Sequence, residues 1–187
     1  MFEILIQKDK QLLIYLNSLG SEQWDPFWLF ITNQFSWTPL FLLIIYIIFK
    51  KFGWKKGGFL FLFLVCLIAF SDQFTNLIRV TFERLRPNND TSINHLLRTL
   101  ITPQSFSFTS GHATTSMTFS VFSYLLFRNS YPKIKYIFCF PIIFAYSRLY
   151  LGVHFPLDIV SGAVVGTVIG YSFYKLHFFL QSKLFTS

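Results

Sequence analysis

Charge is scarce in this chain. Only 13% of its 187 residues are Asp, Glu, Lys or Arg, against 53% hydrophobic and 21% aromatic, which excludes an ordinary soluble domain and makes a membrane protein the first expectation. Cysteine is scarcer. Cys66 and Cys139 both fall in apolar stretches, where free thiols behave as small buried hydrophobes, so neither a disulfide nor a thiolate metal site is expected. The start, MFEILIQKDKQLLIYLNSLG, lacks the basic end and unbroken apolar core of a cleaved signal. It reads as an amphipathic helix lying in the membrane interface.

What the chain does have is long, nearly uncharged runs, at residues 26–49, 57–78, 111–127, 134–147 and 155–174. A bilayer needs about 20 apolar residues, so the third and fourth runs borrow flanking residues to cross. The expected fold is all-α: a polytopic transmembrane helix bundle of five or six spans with an amphipathic N-terminal helix, residues 1–24 interfacial and 25–178 forming the bundle of a single domain. A sixth span over residues 4–19 would carry Lys8, Asp9 and Lys10 into the bilayer, which is expensive.

Five spans sort the loops onto two faces. One face holds 9 basic residues (Lys50, Lys51, Lys55, Lys56, Arg128, Lys133, Lys135, Lys175 and Lys183) and no acidic ones, and the other holds 7 basic and all 8 acidic residues. Lys and Arg gather on the cytoplasmic side, so the first face is expected inside. The net charge of +8 is thereby a property of solvated loops, which disposes of it as a nucleic-acid signal.

Three polar stretches meet at the outer surface: SDQFTNLIRVTFERLRPNND, SFSFTSGHATTS and SRLYLGVHFPLD. In the first, Asp72, Asn76, Arg79, Glu83 and Arg86 follow one another at helical spacing along a stripe, and Pro87 discourages continuation of the helix. A salt-bridged helix end is one reading of it. In the second, Ser110, Gly111 and His112 precede a span rich in small and hydroxyl residues; a glycine permits close approach, and the free amides of a helix start bind anions. A capped, hydrogen-bonded histidine is the plainer reading. In the third, Pro156 suits the first turn of a helix, so Asp158 can reach back to His154. Such a pair fixes the ring tautomer and raises its basicity, as in nucleophilic histidines and metal ligands, and a purely structural pair has the same spacing. Gly162, Gly166 and Gly170 continue the four-residue step and offer a close-packing stripe. His95, in NHLLRTL, falls in an expected short amphipathic helix of the outer loop, and His177 lies toward the inner face.

Taken together these stretches resemble the type 2 phosphatidic acid phosphatase (PAP2) superfamily, with its KX6RP, PSGH and SRX5HX3D motifs. The matches are Arg79 with Arg86-Pro87, then Ser110-Gly111-His112, then Ser147-Arg148 with His154 and Asp158. Arg79 stands in place of the family's lysine and Thr109 in place of its proline. An arginine keeps the charge but presents a planar fork instead of a compact ammonium. The resemblance implies a membrane lipid phosphatase that works without a cofactor or metal on a lipid phosphate in the bilayer, with no nucleic-acid partner and the site facing the periplasm or outside of a bacterial inner membrane. It implies His154 as the nucleophile that forms a phosphohistidine, Asp158 as its orienting carboxylate and His112 as the acid for the leaving oxygen. Arg79, Arg86, Ser110, Gly111 and Arg148 would bind phosphate, supported by Asp72, Asn76 and Glu83. Transfer to a second lipid instead of water is the alternative chemistry, and a transporter or scaffold the non-enzymatic one. Undecaprenyl diphosphate, phosphatidylglycerophosphate, phosphatidate and the phosphates of lipid A all remain open as substrates.

Overall fold

The computed structural model describes residues 2–184. Among them the regular structure is all helical: α1 (Phe2–Ser18), α2 (Asp25–Thr32), α3 (Thr38–Phe82), α4 (Gly111–Phe127), α5 (Cys139–Tyr150) and α6 (Pro156–Leu184), joined by short 3-10 turns. Two of the helical stretches are long and apolar enough to cross a membrane, residues 34–89 and Pro156–Leu184.

α3 is two helices in one. Gly53 adopts φ 69°, ψ −179°, a left-handed conformation without cost for glycine, and the chain doubles back there. The rings of Phe49 and Phe61 lie 6.4 Å apart, whereas residues twelve apart in a straight helix are separated by about 18 Å. Ile44 and Ile48 from the first limb and Leu60, Leu64 and Leu67 from the second then share one buried core with Phe119, Phe122 and Phe127 of α4 and Phe140 and Phe144 of α5. The expected second and third runs are thus realised inside the second limb of α3 and as α4.

The run at 26–49 is not one helix. It breaks after Thr32, where Asn33 is extended (φ −76°, ψ 120°) and its side chain caps the amide of Phe35, and α3 starts afresh with Pro39 in its first turn. The carbonyls freed at the end of α2 are met locally: the Trp37 indole donates to Ile31 O at 2.9 Å and Ser36 Oγ to Phe30 O at 2.6 Å. The fourth run is likewise shorter as α-helix than expected, because residues Pro132–Phe138 form a 3-10 turn before α5.

α4 and α6 pack backbone to backbone. A Cβ on Gly162 would lie 2.8 Å from Ser110 O and one on Gly170 2.7 Å from Thr118 O, so the glycine stripe serves the close approach expected of it. Thr118 Oγ1 donates across this seam to Gly166 O at 3.2 Å.

α1 departs from an ordinary amphipathic helix. Its inward stripe is Asp9, Leu13 and Asn17, all buried, whereas Ile4, Leu5, Leu12 and Tyr15 are exposed. Asp9 Oδ1 accepts the Leu157 amide at the start of α6, and Asn17 Nδ2 donates to Tyr150 O at the end of α5, 2.7 Å away. Lys10 pairs with Asp90 of the α3–α4 loop at 2.6 Å. Both ends of this stretch therefore touch the same end of the bundle. Cys66 and Cys139 are free, and both are exposed on the helix surface instead of buried; on a membrane protein the apolar environment expected for a thiol is equally available outside the bundle. His95 sits in a single 3-10 turn, Asn94–Leu96, instead of the expected short helix.

Candidate active site

Each of the three polar stretches is placed by a helix end. α3 stops at Phe82, α4 starts at Gly111, and α6 starts at Pro156, and the loop between α5 and α6 carries His154 into the junction. His154 is 1% exposed and Asp158 is fully buried.

The imidazole of His154 has a defined orientation. Arg86 Nη1 lies 3.1 Å from Nε2, and a guanidinium only donates, so Nε2 accepts and the ring proton resides on Nδ1. Nδ1 faces Asp158 Oδ2 at 3.3 Å. The same Oδ2 accepts the Phe155 amide at 2.9 Å, which fixes the carboxylate relative to the turn that bears His154. Burial, reinforced by Arg86, Arg148 and Arg79, pushes His154 well below the usual imidazole range, so the ring is neutral at pH 7 and Nε2 is unprotonated, its lone pair directed at Arg86.

Arginines line the side facing Nε2. Arg86 is anchored by Ser105, whose carbonyl accepts from Nε at 2.6 Å and whose Oγ accepts from Nη2 at 2.9 Å. Burial lowers its pKa to about 10, with Arg79 acting in the same direction and Asp158 opposing, so it remains charged. Arg79 donates Nε to Thr109 O at 3.0 Å and Nη1 to Asn76 Oδ1 at 3.2 Å, and Asn76 in turn donates to Asp72. Arg148, only 6% exposed, donates Nη1 to Thr32 Oγ1 at 2.6 Å, while its buried Nε has no hydrogen-bond partner. A buried cationic donor without a partner, with Arg86 and Arg79 near enough to act on it, is an arrangement that suits an anion.

At Gly111, a Cβ would lie 2.9 Å from Arg79 Nη2, so the glycine is what lets the guanidinium lie against the start of α4. Ser110 is the N-cap of that helix: its Oγ accepts from the Ala113 amide at 3.5 Å, which leaves the hydroxyl proton free to donate. Its own amide donates to Asp158 O at 3.1 Å and ties α4 to α6 at the site. His112 stacks on Phe144 (centroids 4.3 Å apart), and its Nε2 lies 3.1 Å from Thr32 O. A carbonyl only accepts, so Nε2 of His112 carries a proton.

Ten of the eleven sequence-picked residues therefore meet at this junction or support it: His112, His154, Asp158, Arg79, Arg86, Arg148, Ser110, Gly111, Asn76 and Asp72. Glu83 does not. α3 ends one residue before it, and Glu83 takes a left-handed φ of 48° with its amide closing the last turn on Arg79 O, so its side chain is exposed instead of continuing the stripe. That turn also swings the neighbouring Arg84 inward, a residue the sequence reading counted only as loop charge. Arg84 Nη1 donates to Asp158 Oδ1 and Nη2 to Asp9 Oδ2, both at 2.7 Å. Thr32 was missed too, for lack of any local signal beyond the break at Asn33. Asp9 had one: a carboxylate inside an apolar helix requires a partner.

Residues 58–182 match the PAP2 superfamily. The chain is 34% identical to a lipid A 4'-phosphatase of Bacteroides thetaiotaomicron over 98% of its own length and 83% of that protein's. It is 30% identical to an undecaprenyl-diphosphatase of Sulfolobus acidocaldarius over 74% of its length and 62% of that protein's. In fold it is similar to the transmembrane PAP2 type phosphatidylglycerolphosphate phosphatase from Bacillus subtilis, with a TM-score of 0.74 at 19% identity, covering 98% of this chain and 90% of that one. The arginine-lined histidine pair at the junction of α3, α4 and α6 thus sits in a chain that belongs to the PAP2 superfamily, in its membrane lipid phosphatase branch.

Proposed function

We propose that this protein removes a phosphate monoester from the headgroup of lipid A, through a phosphohistidine formed on His154. The observation that carries the chemistry is the orientation of His154, with Nε2 turned to Arg86 and Nδ1–H to Asp158. The similarity to lipid A 4'-phosphatases along almost the whole chain supports the substrate.

Phosphoryl transfer spreads negative charge over the phosphate oxygens, so catalysis is mostly positioning and cationic donors. Arg79, Arg86 and Arg148 supply these, which leaves no step that needs a divalent ion. Nε2 of His154 bonds to phosphorus as the bond from phosphorus to the lipid oxygen breaks, and that oxygen takes a proton from His112 in its imidazolium form, which leaves a neutral ring. The Nδ1 proton stays between His154 and Asp158, whose carboxylate balances the ring's positive charge. Water then attacks phosphorus, gives a proton to His112 and releases phosphate as the nitrogen–phosphorus bond breaks.

The same reading sets the chain in the membrane as one domain. Residues 25–52, 54–82, 111–127, 132–150 and 156–184 make five crossings, and α1 lies along the surface over the site. The bond from Lys51 Nζ to Ser130 Oγ, 2.7 Å long, supports a shared end for the two basic loops, opposite the site. The positive-inside rule then turns the site to the periplasmic side of an inner membrane.

Phosphate release from lipid A, undecaprenyl diphosphate, phosphatidylglycerophosphate and phosphatidate, by purified protein in detergent with excess chelator, tests the proposal. Lipid A is expected to be the best substrate, with His154→Ala as the blank. No release from any of the four, or full activity in His154→Ala, refutes the mechanism; preference for undecaprenyl diphosphate refutes the substrate alone.

A further inference from the structure

We infer that Asp9 and Arg84 are positioning residues of the phosphatase reaction, forming with Asp158 an alternating chain of charge that sets the basicity of His154. The inference rests on the reading of His154 as the nucleophile.

The chain of contacts is continuous. Arg84 bridges two carboxylates with its two terminal nitrogens, Asp158 Oδ1 on one side and Asp9 Oδ2 on the other, both at 2.7 Å. Its guanidinium lies 4.0 Å above the Phe155 ring, which holds the plane of the fork. The second oxygen of Asp9 accepts the Leu157 amide at 2.9 Å. Every oxygen of the two carboxylates is thus assigned, and the line ends on His154 Nδ1.

Charge explains why a second carboxylate is there. The groups that face His154 and Asp158 are Arg79 from α3, Arg84 and Arg86 from the loop after it, His112 from α4 and Arg148 from α5. Without Asp9, one carboxylate would face four guanidinium groups, and Arg84 would draw on the electrons Asp158 needs for the imidazolium that forms in the reaction. Asp9 neutralises Arg84 and leaves Arg79, Arg86 and Arg148 against Asp158, an excess of positive charge that suits a phosphate anion. Docking of α1 does not by itself call for a buried carboxylate, because Asn17 already binds that helix to Tyr150 O and to the Arg98 amide, the latter at 2.8 Å. Burying an acid at 4% exposure is costly unless it is paired, and here the pair points at the nucleophile's partner.

The two residues carry opposite charge, so their removal moves the acid limb of kcat/KM in opposite directions, which a merely structural role does not. With lipid A in detergent micelles as the probe, Asp9→Asn is expected to lower kcat about tenfold with KM changed less than about twofold. Its acid limb moves to lower pH by about half a unit, because loss of a nearby anion disfavours the protonated ring. Arg84→Gln also lowers kcat but moves the limb to higher pH, and the double variant returns it close to the starting position. Asn17→Ala, which loosens the same helix without changing charge, lowers the melting temperature and leaves the limb in place. If Asp9→Asn or Arg84→Gln does not fold, the shape-altering but charge-keeping Asp9→Glu and Arg84→Lys take their place, and a reduced kcat with an unmoved limb is then expected. Limbs that stay put in both neutralised variants, shift in the same direction, or shift equally in Asn17→Ala overturn the inference. An inactive starting protein, or an active His154→Ala, overturns instead the reading on which it rests.

Discussion

α6 has a buried histidine at each end of its packing surface, and the two could hardly be more different. His154, just before the helix, is surrounded by Asp158 and arginines. His177, near the other end and 2% exposed, lies among the rings of Phe59, Phe63, Phe122 and Phe178 at centroid distances of 5.5 to 6.2 Å. Burial is the same in both and says nothing about function. What separates them is whether the polar ring atoms meet groups that define a proton position and an anion site.

That contrast can be tested at several strengths. The largest effect is expected at its centre: His154→Ala should lower phosphate release by about a thousandfold or more, since the proposed nucleophile has no substitute, while His177→Leu leaves it unchanged in the same assay. Next, Arg148→Ala removes a buried guanidinium whose Nε has no partner and should cost about a hundredfold in kcat/KM, measured on lipid A in micelles. Gly111→Ala is milder; a methyl group 2.9 Å from Arg79 Nη2 displaces that guanidinium, and about a tenfold loss in kcat/KM is expected with a normal melting temperature. The smallest effect is a displacement of a pH profile. In the proposed mechanism His154 acts unprotonated, and its pKa is depressed, so the acid limb of kcat/KM should lie below about pH 6.5, the ordinary imidazole value, and activity should fall only as pH drops through that lower range. A limb at or above the ordinary value would mean that the arginines do not face the ring.

Much of the junction was legible because the motif residues are the ones that meet there. Arg86, His154 and Asp158 are spaced so that helix ends alone bring them to a surface, and the glycine stripe announced the α4–α6 seam. Glu83 misled because helical spacing was carried past the residue where the helix ends, and one left-handed residue redirects every side chain after it. The run at 26–49 misled in the same way: hydropathy averages over a break, and the cue lay in Asn33 and Pro39. Arg84 and Thr32 were invisible for a different reason, and Asp9 announced the need of a partner without saying which. Their partners are 74, 75 and 116 residues away, and no local pattern encodes a contact of that separation.

Composition and motif spacing by themselves determined that this is an oily, all-helical chain with a mixed-charge end that gathers the motif residues and a basic end, because hydropathy and charge act residue by residue. Only the tertiary structure decided that the N-terminal helix turns its polar stripe inward and that Arg84, not Glu83, reaches Asp158. Those outcomes depend on pairing energies between distant groups, and a buried charge settles wherever the fold supplies its counterpart.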